Sequence, residues 1–230
     1  IMRFRGKRYT ESSKTVEKNK EYGVGEAVSL VKAFKAAKFD EAVDIVMKLG
    51  VDPKHSDQLV RGSFSLPKGI GKEVRVVVFA GSDDKVEVAQ KAGAIEAGGD
   101  DLLKKVEGGW LDFDVAISTP DMMGKVGKLG RVLGPQGKMP SPKSGTVTND
   151  ILNAVKEFRE GKIEYRTDAG GNVHAPVGKV SFPDSDLIEN VESFINHIVS
   201  NRPPAAKGVF VQKISISSSM GPGVRVILAA

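Results

Sequence analysis

The stretch PKGIGKEVRVVVF, residues 67–79, is where the chain changes its grammar. Pro67, Gly69 and Gly71 punctuate it at the start, as turn residues do just after a strand. Val74 to Phe79 then runs almost unbroken in β-branched and aromatic side chains, the pattern of a strand covered on both faces. Downstream, helix and strand patterns take turns. Asp83–Ala92 and Asp101–Val106 read as helices, Ala94–Ala97 and Phe113–Ser118 as strands, and Asp121–Lys128 as a short helix. Val132-Leu133 adds a further strand, and Asn149–Phe158 a last helix. Repeated strand–helix units with short links predict a small parallel sheet flanked by helices.

Upstream the period differs. Residues 1–22 are polar and charged and read as an arm rather than core. Val24, Ala27, Val28, Val31 and Phe34 recur at helical spacing, predicting an amphipathic helix up to about Lys38. Val43, Ile45, Met47 and Leu49 then alternate with Ala42, Asp44, Val46 and Lys48, as in a half-buried strand. A second alternating run covers residues 60–66. Beyond Arg159, Glu164–Arg166 and Val173–Val177 suggest a hairpin around Asp168-Ala169-Gly170-Gly171. Leu187, Ile188, Val191, Phe194, Ile195, Ile198 and Val199 form one face of a helix capped by Asp184, Ser185 or Asp186 and stopped by Pro203-Pro204. Val209–Ile216 and Val224–Leu228 are strands. The expectation is an α/β protein of two domains: residues 1–68 with 159–230 form a split α+β domain, and 69–158 an inserted one. The crossing strands near Pro67 and Arg159 would act as a hinge.

The 230 residues carry a net charge of +5, unevenly placed. Residues 1–68 hold 14 basic and 9 acidic residues, 69–158 hold 12 and 13, and 159–230 hold 8 and 7. The two ends thus supply the excess, which suits an anionic partner. With no cysteine, disulfides, thiolate metal sites and cysteine nucleophiles are excluded. No apolar run approaches the roughly 18 to 20 residues that span a bilayer. IMRFRGKRY lacks the apolar region of a secretory signal, and Ile1 ahead of Met2 leaves open that residues precede it.

Several segments carry possible chemistry. Residues 122–149 contain no acid but five cations (Lys125, Lys128, Arg131, Lys138, Lys143) and six glycines, so they promise little core and a liking for anions. No glycine-rich phosphate loop occurs, and nothing calls for a cofactor or metal. His55, His174 and His197 lie far apart. His197 reads as a helix-boundary residue, and His174, just after the Gly170-Gly171 turn, could meet a ligand. The pairs Asp83-Asp84, Asp100-Asp101 and Asp112/Asp114 could serve acid–base or metal chemistry at strand ends, but helix capping explains two of them more cheaply. Phe39 is either a core plug or, beside Lys38, a stacking residue. Ser217–Gly223 is either a plain turn or a small-residue surface whose hydroxyls and backbone reach RNA sugar edges.

KFDEAVDI (38–45), KLGVDPKHSDQLVRG (48–62), GGWLDFDVAISTPDMM (108–123), GRVLGPQGKMPSPKSGTV (130–147), HAPVGKVSFP (174–183) and SSSMGPGVRV (217–226) together resemble the bacterial ribosomal protein L-one family, the large-subunit protein of the mobile side stalk. The resemblance runs in order through nearly the whole chain. It implies a split first domain that binds stalk ribosomal RNA and an inserted Rossmann-like domain joined to it by a hinge. It further implies a non-catalytic, cytoplasmic ribosomal protein, monomeric within the ribosome, with a part in moving and releasing exit-site transfer RNA and in repressing its own messenger RNA. The family's RNA-facing cluster falls on Lys38, Phe39, Thr167, Asp168, Gly170, Gly171, His174, Ser217, Ser219, Met220 and Gly221. Arg5, Lys7 and Arg8 match its basic start and would meet phosphates. The family commonly has threonines at 217–219, so the serines here keep the hydroxyl and lose a methyl contact.

Two other classes remain open from sequence. One is a nucleotide-binding enzyme using the carboxyl edge of the inserted sheet, and the other a scaffold that binds protein through the middle domain. Steep salt dependence separates RNA binding from an apolar protein contact.

Overall fold

The structure, a computed structural model, describes residues 6–17, 20–35, 37–55 and 57–227. Helices α1 (Lys7–Lys14) and α2 (Val24–Ala33) precede strands β1 (Ala42–Leu49) and β2 (Arg61–Ser65). Then come β3 (Val76–Phe79), α3 (Asp83–Lys91), β4 (Glu96–Gly98), α4 (Asp100–Glu107) and β5 (Val115–Ser118). Two single-turn helices, α5 (Met123–Val126) and α6 (Gly130–Leu133), lead to α7 (Ile151–Glu160). β6 (Lys162–Arg166), β7 (Asn172–Lys179), α8 (Asp184–Ser200), β8 (Val211–Ser218) and β9 (Val224–Val226) follow. Two compact units result, Ile1–Gly71 with Ile163–Ala230, and Lys72–Lys162. The divisions lie a few residues beyond 68 and 158. Phe158 is sealed in the middle core, and the Gly69 carbonyl accepts from Asn190 of the split unit.

In the split unit an antiparallel sheet has the order β7-β1-β8-β9. The alternation of β1 does what its period requires. Val43, Ile45, Met47 and Leu49 are sealed, while Ala42, Asp44, Val46 and Lys48 stay half-open. α2 and α8 cover the sealed face, with Val28 and Val31 from one and Leu187, Val191, Phe194 and Ile198 from the other. α8 opens on Pro183 without a side-chain cap, so Asp184 and Asp186 lie inside its first turn. There their charge favours the helix dipole instead of closing a hydrogen bond.

The expected hairpin does not form. β6 pairs with β2 and β7 pairs with β1; only Thr167 and Val173 bridge directly. Within residues 1–22 the chain is not merely an arm apart from the core: 7–14 form a helix, with Ser12 buried and Val16 packed on the core. Tyr22 then bridges Val226 at the sheet edge. α2 stops at Ala33, because Phe34 turns extended at φ −62° and ψ 147°.

Asn190 is fully buried on α8. Its amide donates to the carbonyls of Gly69 (3.0 Å) and Val177 (2.8 Å) and accepts from the Lys68 amide (3.1 Å). Asn190→Ala leaves three backbone groups unpaired and is expected to destabilise this unit by about 3 kcal/mol, read as a lower urea midpoint at unchanged slope.

The middle unit has a parallel sheet of order β4-β3-β5. β3 is buried at every position, as its sequence demands. Val76 and Val78 face one layer, with Ala89 of α3 and Val155 and Phe158 of α7. Val77 and Phe79 face the other, with Leu102 and Val106 of α4. The acid-free segment belongs to that second layer: Met122, Val126, Leu129 and Leu133 are buried there. Val132-Leu133 is therefore helical and not a strand, since its apolar residues recur every three or four positions.

Candidate nucleic-acid interface

One border of the antiparallel sheet is formed where the α2–β1 loop meets the turn after β8. Lys38 is exposed and Phe39 is 56% exposed. The ring that plugs the core here is Phe34, so Phe39 stands free for contact. Opposite, Ser219 donates its amide to the Ala42 carbonyl (3.0 Å), and its hydroxyl accepts from the Ala42 amide (3.1 Å). Met220 follows, 54% exposed. Gly221 must lack a side chain, because a Cβ would lie 2.5 Å from Ser218 Oγ and 3.0 Å from the Phe34 ring. Beneath both loops lies Glu41, only 5% exposed, whose carboxylate accepts from the Ala37 amide (3.0 Å) and the Met220 amide (2.9 Å).

The second border is the turn after Thr167. Asp168 Oδ1 accepts from the amides of Gly170 (2.8 Å) and Asn172 (2.7 Å), and His174 Nε2 lies 3.3 Å from Oδ2. The Asn172 side chain and backbone, with His174 and Gly170, hold this carboxyl far below the usual carboxylate range. Lys48 Nζ caps the Gly170 carbonyl. Gly171 is buried at φ +77°, and its carbonyl accepts from the Leu49 amide (2.9 Å). Thr167 departs from its expected role. It is buried, and its hydroxyl donates to the Val60 carbonyl (2.8 Å) and accepts from the Val60 amide (3.1 Å). It props the turn from within and presents no hydroxyl outward.

The open sheet face joins these borders. Asp44 pairs across to Pro176 and Ser217, Val46 to His174 and Ser215, and Lys48 to Asn172 and Lys213. Arg225 sits opposite Ser215. Burial raises the Asp44 pKa and His174 offsets part of that rise. The face is thus a row of hydroxyls, amides and a few charges. Lys48, Lys213, Ser215 and Arg225 were missing from the sequence-derived cluster. Alternation placed Lys48 on the solvent side of its strand, but not beside His174; for the other three the sequence indicated a strand and no face.

Of the basic start, Lys7 is exposed at the head of α1, and Arg5 lies outside the described residues. Arg8 turns to Glu41 at 3.6 Å. The acids of the middle unit do not converge. Asp114 lies before β5, bonded to Arg75 and Lys72, at the opposite sheet edge from Asp83 and Asp100. Asp100 is paired with Lys125 at 2.6 Å. The hollow at the carboxyl edge of β3 and β4, about 440 Å³, is lined by Asp83, Glu96, Asp100 and Asp101 with Lys105. Lys105 is already held by Glu96 at 2.7 Å, so the hollow repels a phosphate. Among the described residues no group of three or more His, Asp or Glu could hold a metal ion, and no helix is long and apolar enough to cross a membrane.

The structure is thus a two-unit α/β fold whose antiparallel sheet has one polar face open beside two loops. Residues 31–222 match the model of the Ribosomal protein L1p/L10e family, and the chain belongs to that family. It is therefore a large-subunit ribosomal protein that binds RNA. Membership places it on the ribosome, in the cytoplasm.

Proposed function

We propose that the open sheet face of the split unit is the ribosomal RNA-binding surface. Lys38, Phe39, Ser217, Ser219, Met220 and Gly221 form one border, and Asp168, Gly170, Gly171 and His174 the other. The observation that carries this is the exposure of Phe39 and Met220 on two loops fastened to one carboxylate. Covering large apolar side chains that a fixed scaffold holds out in water is favourable, so a partner gains by docking there. Stacking on Phe39, ribose contact at Met220, and hydroxyl and backbone bonds to 2′-hydroxyls read RNA shape. Lys7, Lys38, Lys48, Lys213 and Arg225 supply salt-dependent attraction to phosphates.

In the same proposal the chain is non-catalytic and binds the RNA of the stalk. It takes part in moving and releasing exit-site transfer RNA, and it represses translation of its own messenger RNA. These finer roles are supported by the family likeness alone. The test of location is a deletion. Replacing residues 72–162 by a short flexible linker is expected to cost less than about tenfold in affinity for large-subunit ribosomal RNA, with the same steep fall in added salt. A folded deletion product that no longer binds would move recognition to the middle unit.

A further inference from the structure

Glu41 belongs to neither border as read from the sequence, yet it touches both loops of the first. It is a carboxylate with 7% of its side chain exposed, set at the entrance to β1. Burying such a group is unfavourable unless several donors surround it. Here the donors are the amides of Ala37 and Met220, with Arg8 Nη1 at 3.6 Å as counter-ion. Burial raises its pKa, but the Met220 amide, the Ser218 hydroxyl, the Ala37 amide and Arg8 together outweigh that, and the value ends below the usual 4.5. The group is thus ionised at neutral pH. The backbone carbonyl of Glu41 accepts from Val180 at 2.9 Å, so the residue itself is fixed to the sheet margin.

We propose that Glu41 is the positioning residue of the RNA-binding surface: its carboxylate clamps the loop bearing Phe39 and the turn bearing Met220 in one geometry, with Arg8 as its counter-ion rather than a phosphate contact. The inference rests on the proposed surface and assigns it a residue that touches no RNA. An apolar residue of the same size would fill the space but leave two amides unpaired, so filling is not its role. The clamp acts by removing loop disorder before binding, which lowers the entropy lost on association.

The test is Glu41→Gln in the full chain. Its amide group turns one donor towards donors and removes the charge that holds Arg8. Affinity for purified large-subunit ribosomal RNA is expected to fall about tenfold or more. The slope of log affinity against log salt should not change, because no phosphate contact is lost. A folded variant within about twofold of the parent overturns the proposal, as does a lower melting temperature with unchanged affinity. Should the variant not fold, amide exchange in the parent decides. Slow exchange at Ala37 and Met220 supports the clamp, and exchange as fast as in free loops overturns it. Phe39→Ala separates the two levels. If it weakens binding and Glu41→Gln does not, only the clamp is lost; if neither weakens binding, the surface itself is misplaced.

Discussion

Met220→Asp is expected to lower the affinity for large-subunit ribosomal RNA by about 100-fold, roughly 2.7 kcal/mol, while the circular dichroism spectrum stays native. Met220 is 54% exposed, so the fold loses little buried area when its thioether goes. Its structural contribution is its backbone amide, bonded to Glu41 at 2.9 Å, and aspartate keeps that donor. Repulsion between the new carboxylate and Glu41 acts partly through water and is worth about 1 kcal/mol or less. On the RNA side two effects add. On the proposed surface the apolar contact with sugar or base is lost, and a negative charge enters where phosphates are proposed to lie. Met220→Ala removes only the first and should fall between the parent and the aspartate variant. Filter binding at fixed salt, with a parallel thermal melt, measures both. Affinity within about twofold of the parent in a native-like aspartate variant takes this turn out of the interface.

Periodicity conveyed faces, and it did not convey partners. The alternation in β1 correctly sealed Val43 to Leu49 on one side and opened Asp44 and Lys48 on the other. It could not say that β1 lies between β7 and β8, strands more than a hundred residues further along. Pairing Glu164–Arg166 with Val173–Val177 was the natural local choice, and tertiary packing overrode it by giving each strand a distant neighbour. The middle sheet was more legible because β3 is buried on both faces, and that leaves an unbroken apolar run. In the acid-free segment six glycines and three prolines hid that the helical spacing begun at Met122 and Val126 runs on through Leu129 and Leu133. At the site, Phe39 and Met220 were visible as motif residues. The inward turn of Thr167 and Arg8 was not, because each depends on a partner (Val60, Glu41) brought near only by folding. Glu41 was missed for the same reason: beside Asp40 an acid reads as solvated loop.

Phe194→Ala is expected to destabilise the split unit by about 3–5 kcal/mol and to leave the middle unit as it was. Phe194 is fully buried on α8. Its ring meets Tyr165 edge-on, centroids 5.8 Å apart, and Phe64 at 6.1 Å. It thus joins α8 to both strands of the β2–β6 pair. Truncation removes the ring's burial and opens a cavity whose walls are stiff. The Tyr165 hydroxyl is tied to His197 Nε2 at 2.9 Å, and Phe64 stacks on the same imidazole at 4.3 Å. Such walls cannot collapse to refill the space, which puts the loss near the top of the range. The middle unit keeps its own two apolar layers, built from β3, β5 and their helices. The sequence supplies a reporter for it, since the single tryptophan, Trp110, lies in that unit, 5.6 Å from the Phe113 ring and under Lys105 Nζ at 4.4 Å. Tryptophan fluorescence therefore follows the middle unit, whereas far-ultraviolet circular dichroism follows both. In urea the variant should show an early circular dichroism step at a reduced midpoint, with the fluorescence midpoint unmoved. A fluorescence transition that shifts together with the early step would mean the two units unfold as one cooperative body.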